Sequence, residues 1–195
     1  LRSNDASRLT IEMTPMHLAA MLGKERMIEK LAGACDGLAC AKGGGGWSPL
    51  MVAVECVQKG AASALLRAGA DTEARNDRGS TALIEAVASD SAGMVDVLCD
   101  GGADIEATDN VGRTALLAAG QWPGVRIVSQ LLSRGAQLEA ADIDGRRLLH
   151  LAARMNDLAL VNLAIEAGAE VDAVDGDGRT PLLHAVRDGT VEVQQ

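Results

Sequence analysis

A self-similar unit of 33 residues runs through the chain, and no other feature restricts its fold as much. The sextet Thr81-Ala82-Leu83-Ile84-Glu85-Ala86 returns as Thr114-Ala115-Leu116-Leu117-Ala118-Ala119, as Arg147-Leu148-Leu149-His150-Leu151-Ala152 and as Thr180-Pro181-Leu182-Leu183-His184-Ala185. Upstream it is Ser48-Pro49-Leu50-Met51-Val52-Ala53 and Thr14-Pro15-Met16-His17-Leu18-Ala19; the steps are 34 once and 33 four times. A glycine followed by alanine keeps the period at Gly69, Gly102, Gly135 and Gly168. Another glycine keeps it two residues ahead of the Thr position, at Gly46, Gly79, Gly112, Gly145 and Gly178. One such unit is too small to bury its apolar face alone, so neighbours must stack and stability accrues along a line.

Each unit reads as two short helices. Thr or Ser caps an orphan N–H, and Pro suits the first helical position. Leu83, Ala86 and Val87 fall on one face at i, i+3, i+4. Met94, Val95, Val97 and Leu98 do the same for a second helix, which ends at Gly101-Gly102. The stretch from Ala103 to Gly112 is polar and predicts an extended finger with a tight turn over Asp109 to Gly112. The 195 residues contain no Phe or Tyr and only two Trp, so the core must be built from small and medium aliphatic side chains. Small residues at Ala86, Ala119, Ala152 and Ala185 then let successive helices approach closely.

These residues resemble the ankyrin repeat, whose hallmark is Thr-Pro-Leu-His-x-Ala, a helix–loop–helix, Gly-Ala-Asp and a β-hairpin. Thr14 to Ala19 carries the first part, and Gly69-Ala70-Asp71 and Gly102-Ala103-Asp104 the second. The resemblance implies an all-α ankyrin-repeat solenoid with projecting β-hairpin or loop fingers, one domain over 1–195. Its repeats would lie at about 11–44, 45–77, 78–110, 111–143, 144–176 and 177–195, the last incomplete. It further implies a non-catalytic scaffold or adaptor, monomeric, that binds a protein or peptide through its fingers and inner helices. Departures are visible. The family's His is kept at His17 and His150 but replaced by Met51, Ile84, Leu117 and Leu183. Arg147 occupies a capping position, at an expected cost of about 1 kcal/mol, so that Arg147→Thr should stabilise the fold. The segment from Cys35 to Trp47 has one extra residue and contains the run Gly43-Gly44-Gly45-Gly46, which predicts a looser finger. Where some ankyrin units carry a hydroxylated Asn, this chain has Glu73, Glu106, Glu139 and Asp172.

Charge and motifs exclude other classes. The formal net charge is −9 with no Lys/Arg run, which argues against nucleic acid. No apolar run is long enough to cross a bilayer, and no apolar stretch follows Leu1-Arg2-Ser3-Asn4-Asp5 to make a signal peptide. Cys35, Cys40, Cys56 and Cys99 lack the spacing of a zinc site and read as small apolar fillers in a reducing, intracellular compartment, cytoplasmic or nuclear. Gly43 to Gly46 lacks the Lys-Ser/Thr of a phosphate loop, and Asp172, Asp175 and Asp177 lack the distal Glu of a calcium loop. His17, His150 and His184 have no nucleophile at a recognisable spacing. No catalytic residue, metal or cofactor is expected. The chain opens with Leu1 and its last unit stops partway into a second helix. An alternative reading is therefore the regulatory or sensor region of a larger enzyme, receptor or channel.

The resemblance places partner contacts near the finger tips, at the residue before Thr and near the end of the first helix. Both tryptophans fall in that set, and Trp and Arg are the types most enriched at interface hot spots. Trp47, Arg113, Trp122, Arg146, Arg154 and Met155 are the candidate contact residues. Trp122, beside Pro123-Gly124, reads equally as packing over an irregular helix end. The arginines read alternatively as lying along their own fingers near Asp109, Asp142 or Asp175. If free, Arg113, Arg146 and Arg179 would form a basic stripe suited to an acidic partner.

Overall fold

The computed structural model describes residues 13–34, 37–121 and 125–188. The chain divides into two compact units, Leu1–Asp104 and Ile105–Gln195. Unit 1 holds α1 (Pro15–Met21), α2 (Glu25–Ala34), α3 (Pro49–Glu55), α4 (Lys59–Arg67), α5 (Ala82–Ala88) and α6 (Ala92–Asp100). Unit 2 holds α7 (Ala115–Ala119), α8 (Val125–Ser133), α9 (Leu148–Arg154), α10 (Leu158–Glu166) and α11 (Pro181–Asp188). In unit 1 the helices pair as α1/α2, α3/α4 and α5/α6; the first helices pack in one row and the second helices in another. Unit 2 repeats the scheme with α7/α8 and α9/α10, and α11 packs on α9.

The sequence markers explain the helix ends. Ser48 Oγ, Thr81 Oγ1 and Thr114 Oγ1 accept from the main chain three residues on, at 3.3, 3.5 and 3.4 Å. Where the family's His is present, its ring makes the reciprocal bond, accepting from the main chain of the cap residue. His17 Nδ1 accepts from Thr14 N at 3.2 Å, and His150 Nδ1 from Arg147 N at 3.2 Å. A main-chain N–H can only donate, so Nε2 carries the ring proton. It reaches the next repeat, donating to the carbonyl of Trp47 from His17 (2.9 Å) and of Arg179 from His150 (3.1 Å). The second helices close with the Gly-Ala marker: Gly102 takes φ +87°, and Ala103 N donates back to Leu98 O at 3.0 Å.

The turns between paired helices use the same closure. Gln58 N bonds Ala53 O and Val57 N bonds Val54 O, which puts Val57 at φ +55°. The same register holds Gly23, Asp90 and Asn156, residue types that accept a left-handed backbone. A β-branched residue does not, and the Val57 side chain is exposed, so nothing in the core depends on it. Val57→Asn should raise the unfolding free energy by about 1 kcal/mol, measured by urea titration.

The core is aliphatic. Met16, Leu50, Leu65, Leu83, Met94 and Leu98 are fully buried in unit 1, and Leu116, Leu117, Leu131, Leu148 and Leu151 in unit 2. The fingers contain no strand among the described residues, so the β-hairpin expected of them is reduced to its turn. The turn over Asp109 to Gly112 is present, with Gly112 N bonded to Asp109 O and Asp109 N to Arg113 O, both at 3.0 Å. One such closure is too short to start a ladder.

Arg147 is not the idle cap that its position suggests. Its guanidinium bonds Glu139 at 2.6 Å and Glu170 at 2.7 Å. These pairs are partly exposed and contribute roughly 0.2–1 kcal/mol each. They offset the cap that Thr would restore. Arg147→Thr is thus expected to leave the unfolding free energy, measured by urea titration, within about 0.5 kcal/mol of the parent rather than to raise it.

Candidate protein-binding surface

Each regular finger is folded around one side chain. Asp109 Oδ1 accepts from Val111 N at 3.0 Å and Arg113 N at 2.9 Å. Asp142 Oδ1 does the same with Asp144 N and Arg146 N, and Asp175 Oδ1 with Asp177 N and Arg179 N. In unit 1, Asn76 Oδ1 accepts from Arg78 N and Ser80 N. These residues are buried, so their second polar atom also needs a partner. Arg113 supplies it to Asp109 at 2.6 Å and Arg146 to Asp142 at 2.9 Å. In the other two fingers the partner comes from the first helix, nine residues on. Asn76 Nδ2 donates to Glu85 at 2.9 Å, and His184 Nε2 pairs with Asp175 at 2.7 Å.

The finger of the Cys35 to Trp47 segment has Gly43 where the others have Asn or Asp, and so has no side-chain lock. Main-chain bonds close it instead: Gly43 N to Trp47 O at 2.7 Å and Gly46 N to Gly43 O at 3.1 Å. Residues 35 and 36 lie outside the described residues.

A second ladder was not anticipated from the sequence. Glu73 Oε1 accepts from Asp104 N at 2.9 Å, within unit 1. Within unit 2, Glu106 accepts from Gln137 N at 2.8 Å and Glu139 from Glu170 N at 3.0 Å. Glutamate at the finger base thus ties one repeat to the next. The 33-residue recurrence of these glutamates was the available signal, but their partners lie 31 residues away.

The candidate contact residues fare differently. Trp47 is half-buried; its carbonyl receives His17, and its indole Cδ1 lies against Gly45, 3.2 Å from where a Cβ would stand. Arg113 is held by Asp109 and also donates to Gln121 at 2.8 Å. Arg146 bridges Asp142 and Asp144, and Arg179 pairs with Asp177 at 2.8 Å. The stripe expected to be basic is therefore a row of ion pairs, because each finger carries its own carboxylates within four residues of the arginine. Arg154 closes α9, half-buried, and Met155 beside it is exposed. Trp122, with Pro123-Gly124, lies outside the described residues.

The histidines of unit 2 form a buried pair, with ring centroids 5.4 Å apart in an edge-to-face arrangement. Burial lowers the pKa of His150 from its ordinary 6.5; the carbonyl of Arg179 opposes this and His184 adds to it. Burial acts to raise Asp175, but the N–H of Arg179, the His184 ring and the N–H of Asp177 outweigh it and bring the group from 3.8 down to about 2. For His150 the unfolded chain binds the proton more tightly, so its contribution is full above pH 6.5 and is lost as pH falls below it. For Asp175 the contribution is full above 3.8 and is lost as pH falls toward about 2. The urea midpoint should fall between pH 7 and pH 5, and His150→Leu, the residue type of Leu117 and Leu183 in this register, should flatten that slope. An unchanged slope in the variant would assign the pH dependence elsewhere.

Among the described residues, no group of three or more His, Cys, Asp or Glu is placed to hold a metal ion. No described helix is long and apolar enough to cross a membrane. No individual curated protein matches the chain closely enough to be named as a relative. Two family models do match: ankyrin repeats in three copies over residues 55–142, and ankyrin repeats in many copies over residues 149–194. Capped first helices, left-handed Gly closures and side-chain-locked fingers recur over the same stretch, and the chain belongs to the ankyrin repeat family.

Proposed function

We propose that this chain is a non-catalytic protein–protein interaction module, a scaffold or adaptor. The supporting observation is a contrast within the repeats. Positions that hold the fold repeat themselves: the Asn or Asp lock, the neck glycine, the Thr cap and the buried Leu. Exposed and half-buried positions at the finger tips and first-helix ends do not. The tip residues after the lock are Asp77-Arg78, Asn110-Val111, Ile143-Asp144 and Gly176-Asp177, and the first helices end in Glu55-Cys56, Ala88-Ser89 and Arg154-Met155. A constant scaffold carrying a varied surface is what recognition of a particular partner requires.

Within this reading the contacts are Trp47 on unit 1, and Arg113, Arg146, Arg154 and Met155 on unit 2, with Trp122 retained from the sequence. The compartment is intracellular, a reading supported by Cys40 and Cys56, both free thiols. The test is affinity capture from cell extract with the parent and with a Trp47→Ala, Arg154→Glu, Met155→Ala variant that melts like the parent. Partners should be lost with the variant. Identical recovery from both proteins would reject these residues as contacts.

A further inference from the structure

We infer that the finger tips of unit 2 form a docking ridge for a partner segment with an apolar anchor flanked by Lys or Arg; this rests on the binding-module reading above. The ridge starts with two apolar residues where turn chemistry does not ask for them. Ile143 follows the Asp142 lock, and the other residues in that register are Asp77, Asn110 and Gly176, all good turn formers. Val111 stands one place later, where the others are Arg78, Asp144 and Asp177. Ile143 is 69% exposed, so its apolar surface contributes nothing to the core. The two residues are held side by side: Ile143 N donates to Val111 O at 3.1 Å, and Ile143 Cγ2 lies over Gly112. An exposed aliphatic side chain whose main chain is pinned to the neighbouring finger has the properties of an interface anchor.

The charge around it selects the partner. Across the three tips, Asp109, Asp142, Asp144, Asp175 and Asp177 face Arg113, Arg146 and Arg179, five carboxylates against three guanidiniums. The more exposed groups are Asp144 and Asp177, which pair with Arg146 at 2.7 Å and Arg179 at 2.8 Å and leave the excess of carboxylates over guanidiniums in place. The side chains of Asp144 and Asp177 are 59% and 64% exposed, whereas those of Arg113, Arg146 and Arg179 are 31%, 25% and 37% exposed. The arginines are drawn down onto their own fingers. A partner approaching Ile143 therefore meets an acidic rim on a chain of net charge −9, and complementarity calls for a basic segment, not the acidic one that the arginine spacing suggested.

The experiment selects peptides from a random displayed library on the full chain at physiological salt. Enriched peptides should carry Leu, Ile, Met or an aromatic residue with Lys or Arg beside it. A synthetic consensus peptide should lose about tenfold in affinity with Ile143→Asn, a residue that the same turn accepts at Asn110. Asp144→Lys combined with Asp177→Lys should also weaken it and flatten its salt dependence. Peptides with acidic flanks, or basic ones whose Kd both variants leave within twofold, would overturn the ridge while leaving the module reading intact. Failure to enrich any peptide would count against both.

Discussion

Replacing Asp142 with alanine is expected to lower the unfolding free energy by about 3–5 kcal/mol, the largest loss at any finger residue. Its side chain is fully buried. One oxygen accepts from two main-chain N–H groups, Asp144 and Arg146, at 3.0 and 2.9 Å, and the other accepts from Arg146 Nε at 2.9 Å. Truncation leaves two N–H groups without their acceptor and takes from the Arg146 guanidinium the buried one of its two carboxylates. Each orphaned buried donor costs about 1–3 kcal/mol, and Arg146 keeps its existing pair with Asp144 at 2.7 Å. Asp142→Asn keeps the turn acceptor, as Asn76 does in unit 1, and should cost only about 1 kcal/mol. Urea titration of the two variants separates the lock from the charge. If alanine proves as mild as asparagine, the Asp side chain is not what holds the finger.

The second large effect belongs to the neck glycine. Gly145→Ala should destabilise by about 2–4 kcal/mol, whereas Gly168→Ala should cost about 1–2. Both residues have a left-handed backbone, at φ +74° and +96°. They differ in surroundings. A Cβ on Gly145 would stand 2.7 Å from the main-chain nitrogen of Gly176, and a Cβ on Gly168 meets nothing within 4 Å. The contact at Gly145 is backbone and cannot step aside, because Gly176 N is bonded to Asp144 O at 2.7 Å. The difference between the variants therefore measures the close approach of neighbouring fingers, with the dihedral penalty common to both. Equal losses would mean that the fingers separate readily at that point.

Much of this architecture was legible because the markers are local. Thr81, Gly102 and Asp109 act within five residues of themselves, so period and residue type were enough to place helix starts, helix ends and finger turns. What stayed hidden acts across a repeat. His17 and His150 were recognised as structural, but their role as bridges depends on carbonyls 30 and 29 residues further on. The glutamates at 73, 106 and 139 looked like the absence of an Asn and are bonds between repeats. For the arginines the spacing left two readings open, a free stripe or pairing along their own fingers, and Arg113 and Arg146 take the second. Val57 gave no warning either, because valine does not signal a left-handed turn. The surface was the least legible part. A fold fixes which positions face outward, not what they meet.

The central claim is that a self-locking repeat scaffold presents its varied finger tips and first-helix ends to a protein. Amide hydrogen exchange on the full chain, alone and with a captured partner or selected peptide, tests it most directly. New protection is expected at the tips around 110–112, 143–146 and 176–178, together with the end of α9 at Arg154 and Met155. Protection confined to the second helices, α8 and α10, with the tips exchanging as in the free protein, would contradict it.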